Sequence, residues 1–218
     1  MKGELSNLEI HGINTTEIGQ NYRDIKPSKE MSTKELNDAV SAEFCKEVRG
    51  TELTGNQKEY KDDNGEKYRI GDSLLPNKVF EVNGYKYKTD DKGRVISAEG
   101  KLQVKNHEGR NDMDARSVID KGDMRKTDDR GHLIADRFNG SGGLENVVAM
   151  DSNLNQHGDY KKMENTLADA KQDGANVQLK VEPVYKGDST RPSEFRVSYS
   201  IDGEKTVTVF KNESGVKS

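Results

Sequence analysis

Short runs in which apolar and polar residues alternate fill the middle and the end of the chain, and two other stretches repeat at helical spacing instead. Val79-Phe80-Glu81-Val82 enters Asn83-Gly84 and leaves through Tyr85-Lys86-Tyr87-Lys88, the pattern of a tight hairpin whose two central residues need positive φ. A second hairpin is expected to turn at Asp90-Asp91-Lys92-Gly93 before Arg94-Val95-Ile96-Ser97, with Leu102-Gln103-Val104 extended as well. Residues 177–181, 195–199 and 207–210 alternate again, and Asp202-Gly203 joins the last two as a hairpin. The helical spacing predicts an amphipathic helix over 33–49, with Ser32 or Thr33 as its cap, Leu36, Val40, Phe44 and Val48 as its stripe and Gly50 as its stop. A second helix fits from about 160 to 171, with Met163, Leu167 and Ala170 on one face and Gly174 ending it. Between the β-rich parts, residues 106–127 form a polar loop too long for a mere connector. Gly131-His132-Leu133-Ile134-Ala135 reads as a short apolar strand carrying one histidine. Tyr85 and Tyr87 share a strand face, which marks them as core rather than as a base-stacking platform.

The fold class implied is α+β, with one domain over 67–218 preceded by a polar extension over 1–66 that holds only the helix at 33–49. That extension reads as the end of a longer chain. The 218 residues include 30% hydrophobic and 34% charged ones, and no apolar run approaches the roughly 18–20 residues that span a bilayer. Nor does the start carry the apolar block of a cleavable signal peptide. The single cysteine, Cys45, excludes an intramolecular disulfide and a Cys-based zinc cage. Lys and Arg number 35 against 39 Asp and Glu, so overall charge does not advertise a nucleic-acid binder. Any such case must come from a site.

Asp128-Asp129-Arg130-Gly131-His132 brings acid, cation and imidazole together at the mouth of an apolar run. A histidine is largely an uncharged base at neutral pH, and an arginine offers a planar fork matched to phosphate oxygens. Gly131 would let the backbone bend between them. Downstream lie Asn146, Asn153, Asn155 and Glu164, oxygen donors of the kind a hard, hydrated cation such as Mg²⁺ takes in small number. Each residue alone has an ordinary alternative: His132 half-buried and satisfied, Arg130 paired with Asp128 or Asp129, Asn153 or Asn155 capping a helix, Glu164 on a solvated face. His11, His107 and His157 read as surface residues.

In order, Asp129-Arg130-Gly131-His132, Glu145-Asn146-Val147-Val148, Asn153-Leu154-Asn155-Gln156 and Met163-Glu164 resemble the non-specific DNA/RNA endonucleases of the ββα-metal (His-Me finger) class. The run from Gly131 through Phe138-Asn139-Gly140-Ser141-Gly142 is similar to the nuclease toxin domains that end LXG-type effectors of type VII secretion, and the best match covers about residues 128–170. The resemblance implies a ββα-metal core with an antiparallel sheet carrying the strand of His132. It implies His132 as general base, Asn155 as the direct protein ligand of Mg²⁺ or Mn²⁺, and Arg130 on the phosphate. Asn146 and Glu164 would order the metal's waters or the substrate, and Arg116 or Arg110 would supply a further phosphate contact. Relatives follow the metal asparagine with a shorter turn and a Trp, whereas here His157-Gly158-Asp159-Tyr160 intervenes. The implied activity is non-specific cleavage of DNA, and of RNA, by a secreted antibacterial toxin domain that acts in the cytoplasm of target bacteria and is held by an immunity protein in the producer. Two alternatives stand beside it: a catalytically dead, nuclease-like interaction domain, and an HNH-type nuclease recruiting His157 and Asp129 as metal ligands.

Overall fold

The computed structural model describes residues 58–105, 115, 119 and 122–213. The helix expected at 33–49, Cys45, His11, His107, Arg110 and Arg116 lie outside the described residues.

The chain first forms a small antiparallel sheet from β1 (Glu59–Lys61), β2 (Lys67–Ile70) and β3 (Ser73–Leu74). The boundary expected at 66/67 therefore falls inside a hairpin. Its turn is built by Asp62, whose Oδ1 accepts the amides of Asn64 and Glu66 at 2.9 and 2.8 Å, an aspartate turn that hydropathy does not register.

Six longer strands make the main sheet, in the order β11-β10-β9-β6-β5-β4. They are β4 (Val79–Val82), β5 (Tyr85–Thr89), β6 (Val95–Lys101), β9 (Val177–Tyr185), β10 (Pro192–Ile201) and β11 (Glu204–Lys211), and every neighbouring pair is antiparallel. The expected hairpins are present. Asn83 and Gly84 have φ of 55° and 72°, and Asp202 and Gly203 of 50° and 93°, the two successive positive values that a two-residue turn matching strand twist requires. Leu102-Gln103-Val104, expected as strand, continues from β6 without a ladder partner.

One sheet face is apolar at every second position, as half-buried strands require. Tyr85, Tyr87, Ala98, Leu179, Val181, Phe195, Val197 and Phe210 are buried there, so Tyr85 and Tyr87 are core. Against this face pack two pieces. One is the hairpin of β7 (Asp128–His132) and β8 (Val147–Asp151), a separate two-stranded sheet. The strand of His132 thus lies in an antiparallel sheet, as expected, but in this small one and not in the six-stranded sheet. Its hairpin presents Val148 and Met150 to the common core instead of pairing with a sheet edge. The strand is also Asp128–His132, so Leu133 and Ile134, fully buried, belong to the loop that follows.

The other piece is a helix pair, α1 (Ser152–Gln156) and α2 (Asp159–Gln172). Helix α2 buries Tyr160, Met163, Leu167 and Ala168, the i, i+3, i+7 stripe that defines an amphipathic helix. Tyr160 meets Phe195 and Phe210 edge-on, with ring centres 5.8 and 5.3 Å apart, each contact worth about 0.5–1.5 kcal/mol beyond the area it buries. Gly174, at φ 88°, ends the helix as expected. Among the described residues no helix is long and apolar enough to cross a membrane.

Candidate active site

Strand β7 carries the acid, cation and imidazole that the sequence singles out. In the β7–β8 ladder Asp129 faces Met150, Arg130 faces Ala149 and His132 faces Val147. Alternation puts Arg130 and His132 on one face, and both are half-buried. The other face lies on the core. A Cβ at Gly131 would come 2.6 Å from the Met150 Cβ, so this glycine permits close approach of the two strands in a regular ladder, where the sequence had suggested a bend.

Asp128 opens the strand, buried, and accepts hydrogen bonds from Arg191 Nε at 2.6 Å and Nη2 at 2.7 Å. Burial pushes its carboxyl up, but the Arg191 guanidinium and the Arg125 amide outweigh that and hold it below the usual carboxylate range. Arg191 also donates to the Asn212 carbonyl at 2.9 Å. The Asn212 side chain in turn donates to the Ala149 carbonyl and accepts from the Asp151 amide. The base of the hairpin is thereby tied to the ends of β10 and β11. Of the two aspartates weighed as partners for Arg130, Asp128 belongs to Arg191, a residue no local motif advertises.

Helix α1 is capped by Asp151, whose carboxylate accepts from the amides of Asn153 and Leu154 at 3.1 and 3.2 Å, so neither asparagine serves as cap. Asn155 sits in the last turn, half-buried, and its Nδ2 donates to Asp129 Oδ2 at 3.3 Å. Gln156 Nε2 donates to the same oxygen at 2.5 Å. A carboxylate oxygen that takes the NH₂ end of an amide fixes which way the amide points. No described residue donates to Asn155 Oδ1. Asp129 stands three residues before His132, about 10 Å along a strand. His157 caps the C-terminal end of α1 and is exposed.

Glu164 lies on α2, a separate helix from Asn155. It is 8% exposed and pairs with Lys161 at 3.2 Å. Burial pushes its carboxyl above the usual range, and Lys161 and the Arg137 guanidinium counter that only in part. Asn146 is fully buried, and its amide is committed to backbone. Oδ1 accepts from the Ile134 amide at 2.9 Å, while Nδ2 donates to the carbonyls of Ile134 and Ser141 at 2.9 and 2.8 Å. It shapes the loop after His132. The same loop is held by Tyr85 OH, which donates to the Phe138 carbonyl at 2.5 Å, by Asn83 Nδ2 on the Asn139 carbonyl at 3.0 Å, and by Lys105 on Asp136 at 2.7 Å. Tyr160 OH donates to the Leu133 carbonyl at 2.9 Å. These supports are distant in sequence and left no signal there.

Among the described residues no three His, Cys, Asp or Glu side chains come together as a metal cage. The donors present are a half-buried amide oxygen with no described donor on it and a neighbouring carboxylate. That set fits a hard cation that keeps most of its waters and asks for one or two protein oxygens; it does not fit a tetrahedral zinc centre.

The family model described as DNA/RNA non-specific endonuclease matches residues 76–203. The type VII secretion system protein EssD of Staphylococcus aureus, in strains USA300 and NCTC 8325, is 32% identical over 136 residues, which cover 60% of this chain and 22% of the relative. The chain thus spans less than a quarter of the length of these curated relatives. Among solved structures, NucA from Streptococcus agalactiae with magnesium ion bound superposes with a TM-score of 0.50 at 16% identity, covering 87% of this chain and 93% of that one. Sda1 nuclease with bound zinc ion gives a TM-score of 0.48 at 17% identity over 76% and 88% of the two chains. With more than half of its length under the family model, the chain belongs to the DNA/RNA non-specific endonucleases and is a hydrolytic nuclease.

Proposed function

We propose that the β7–β8 hairpin and helix α1 form a ββα-metal centre that hydrolyses phosphodiester bonds of DNA, and of RNA, without base specificity. The observation that supports this most directly is the Asp129–Asn155 hydrogen bond. It ties Asn155 to the strand that ends at His132, from the strand face opposite that of Arg130 and His132.

His132 acts as general base and takes a proton from the attacking water, a role typically worth about 10²–10⁴-fold. Arg130, on the same strand face, binds the phosphate, with Arg116 or Arg110 as a second contact. Asn155, steadied by Asp129, holds Mg²⁺ or Mn²⁺, and Glu164 orders its waters. Asn146 works on the backbone that positions His132, which revises the direct role its motif implied. The chemistry such an ion supplies is neutralisation of charge growing on the phosphate and on the departing 3′-oxygen. Residues 101–137 hold nine Lys or Arg against eight Asp or Glu, so affinity for nucleic acid is modest and falls with salt. The nuclease domain takes in the whole β1–β2 hairpin and so begins before the 66/67 boundary that hydropathy suggests. The similarity to EssD supports a link to type VII secretion; the rest of the reading is a toxin that acts in the cytoplasm of target bacteria and is restrained by an immunity protein in the producer.

Plasmid cleavage is the test. Relaxation and linearisation should require Mg²⁺ and stop with EDTA, His132→Ala should be folded and nearly inactive, and Asn155→Ala should need far more metal. Cleavage that persists in EDTA, or an unimpaired His132→Ala variant, would reject the assignment. If Asn155→Ala is harmless while His157→Ala abolishes metal dependence, the ion belongs to an HNH-type site.

A further inference from the structure

The hydroxyl of Tyr160 has one described partner, and that partner is the peptide next to His132. Strand β7 ends at His132, so the Leu133 carbonyl has left the ladder while remaining in the core. Buried carbonyls need partners, and this one is met at 2.9 Å by Tyr160 OH. The Leu133 amide is met from the opposite side by the Asn146 carbonyl at 2.8 Å. Both polar groups of the residue after the histidine are therefore fixed, one from the loop and one from helix α2.

The tyrosine is itself immobile. It is completely buried, and its ring is wedged edge-on against Phe195 and Phe210 of the main sheet. Burial pushes its hydroxyl well above the usual range, so it stays a donor at every working pH. Glu164 follows one turn later on the same helix, close enough for its charge to act on Tyr160. Packing alone would be served by phenylalanine. The hydroxyl adds only a fixed span between α2 and the end of β7.

We propose that Tyr160 is a positioning residue for the nuclease reaction: through the Leu133 carbonyl its hydroxyl sets the reach of His132 relative to the helix that carries Glu164. This rests on His132 being the base. Misplacement of a reacting group by about 1 Å can cost up to about 10²-fold in rate, whereas the ring packing survives removal of one oxygen.

The experiment is a cycle of Tyr160→Phe, His132→Ala and the double variant, assayed on supercoiled plasmid in Mg²⁺ with kcat and KM separated and thermal unfolding recorded alongside. Tyr160→Phe is expected to lower kcat about tenfold, with KM close to the parent's and an unfolding midpoint lowered only by the loss of the Leu133 carbonyl's partner, the variant staying fully folded at the assay temperature. In the His132→Ala background the same change should have no further effect, because there is no imidazole left to position. A parental kcat in Tyr160→Phe overturns the proposal. So does a fall in kcat that is equally large without His132, since the hydroxyl would then act elsewhere, and so does a loss of activity that merely follows loss of folded protein. If His132→Ala alone is fully active, the assignment of the base has failed, and that single variant reveals it independently of Tyr160.

Discussion

Replacing Arg191 by methionine isolates what holds the β7–β8 hairpin to the sheet. The substitution removes two hydrogen bonds to Asp128, at 2.6 and 2.7 Å, and one to the Asn212 carbonyl. It leaves a carboxylate whose side chain is 0% exposed in the pair facing an apolar group. Breaking a buried pair on one side costs about 3–5 kcal/mol, which in a domain of this size lowers the unfolding midpoint by roughly 6–20 °C. The pH dependence is diagnostic. In the parent, Asp128 is held below the ordinary range, so its contribution is present above the unfolded-state pKa and is lost as pH falls through the lowered value. In Arg191→Met the buried, unpaired carboxyl is pushed upward. The folded state then binds a proton more tightly than the unfolded chain and gains stability on acidification. The gap between parent and variant must narrow from both sides as pH drops. Adding Asp128→Asn, which removes the stranded charge, should recover about half of the loss at neutral pH. Thermal melts of the three proteins from neutral to acid pH measure all of this. A neutral-pH loss below about 1 kcal/mol, or a gap that does not change with pH, would refute the reasoning.

Three further outcomes follow from the site. Asn146→Ala strands the Ile134 amide and carbonyl and should cost about 2–4 kcal/mol, read as a lower urea midpoint with an unchanged slope. Glu164→Gln removes a buried carboxyl whose raised pKa makes stability fall as pH climbs from the ordinary carboxylate value to the raised one. The variant should be flatter across that window and more stable at neutral pH, while cleaving poorly; a parental pH profile in melts would contradict the burial argument. Asp129→Ala frees the Asn155 amide without touching the amide itself, so the Mg²⁺ needed for half-maximal cleavage should rise about 10–100-fold with little change in unfolding, and titration of metal in the cleavage assay checks it.

What was legible in the sequence follows from the range of the physics involved. The hairpins at Asn83-Gly84 and Asp202-Gly203 were readable because a turn needing two positive φ values is specified by the residues inside it. Helix α2 was readable because its stripe and its terminal glycine are local too. The hairpin of β7 and β8 was not. Asp128-Asp129-Arg130-Gly131-His132 has no apolar alternation, since Asp128 is neutralised by Arg191 and Gly131 is required by Met150, contacts that span sequence separations of 63 and 19 residues. A strand specified by distant partners looks like a charged loop in one dimension, and the apolar residues just after it, Leu133 and Ile134, attracted the strand assignment instead.

The same contrast separates the identities of the candidate site residues from their geometry. Reactive groups must be of particular types in a particular order, so their identities survive in the linear pattern even where their geometry does not. Asn146 shows the limit of that inference. Its place in the motif suggested contact with metal water or substrate, yet all the hydrogen-bonding capacity of its amide that the fold reveals is directed at Ile134 and Ser141. On the proposed reading its influence on the reaction passes through the loop that leaves His132, as that proposed for Tyr160 does from the other side. Two unrelated side chains fixing one short stretch of backbone is what a base needs when its imidazole sits at a strand's end, where the ladder no longer restrains it.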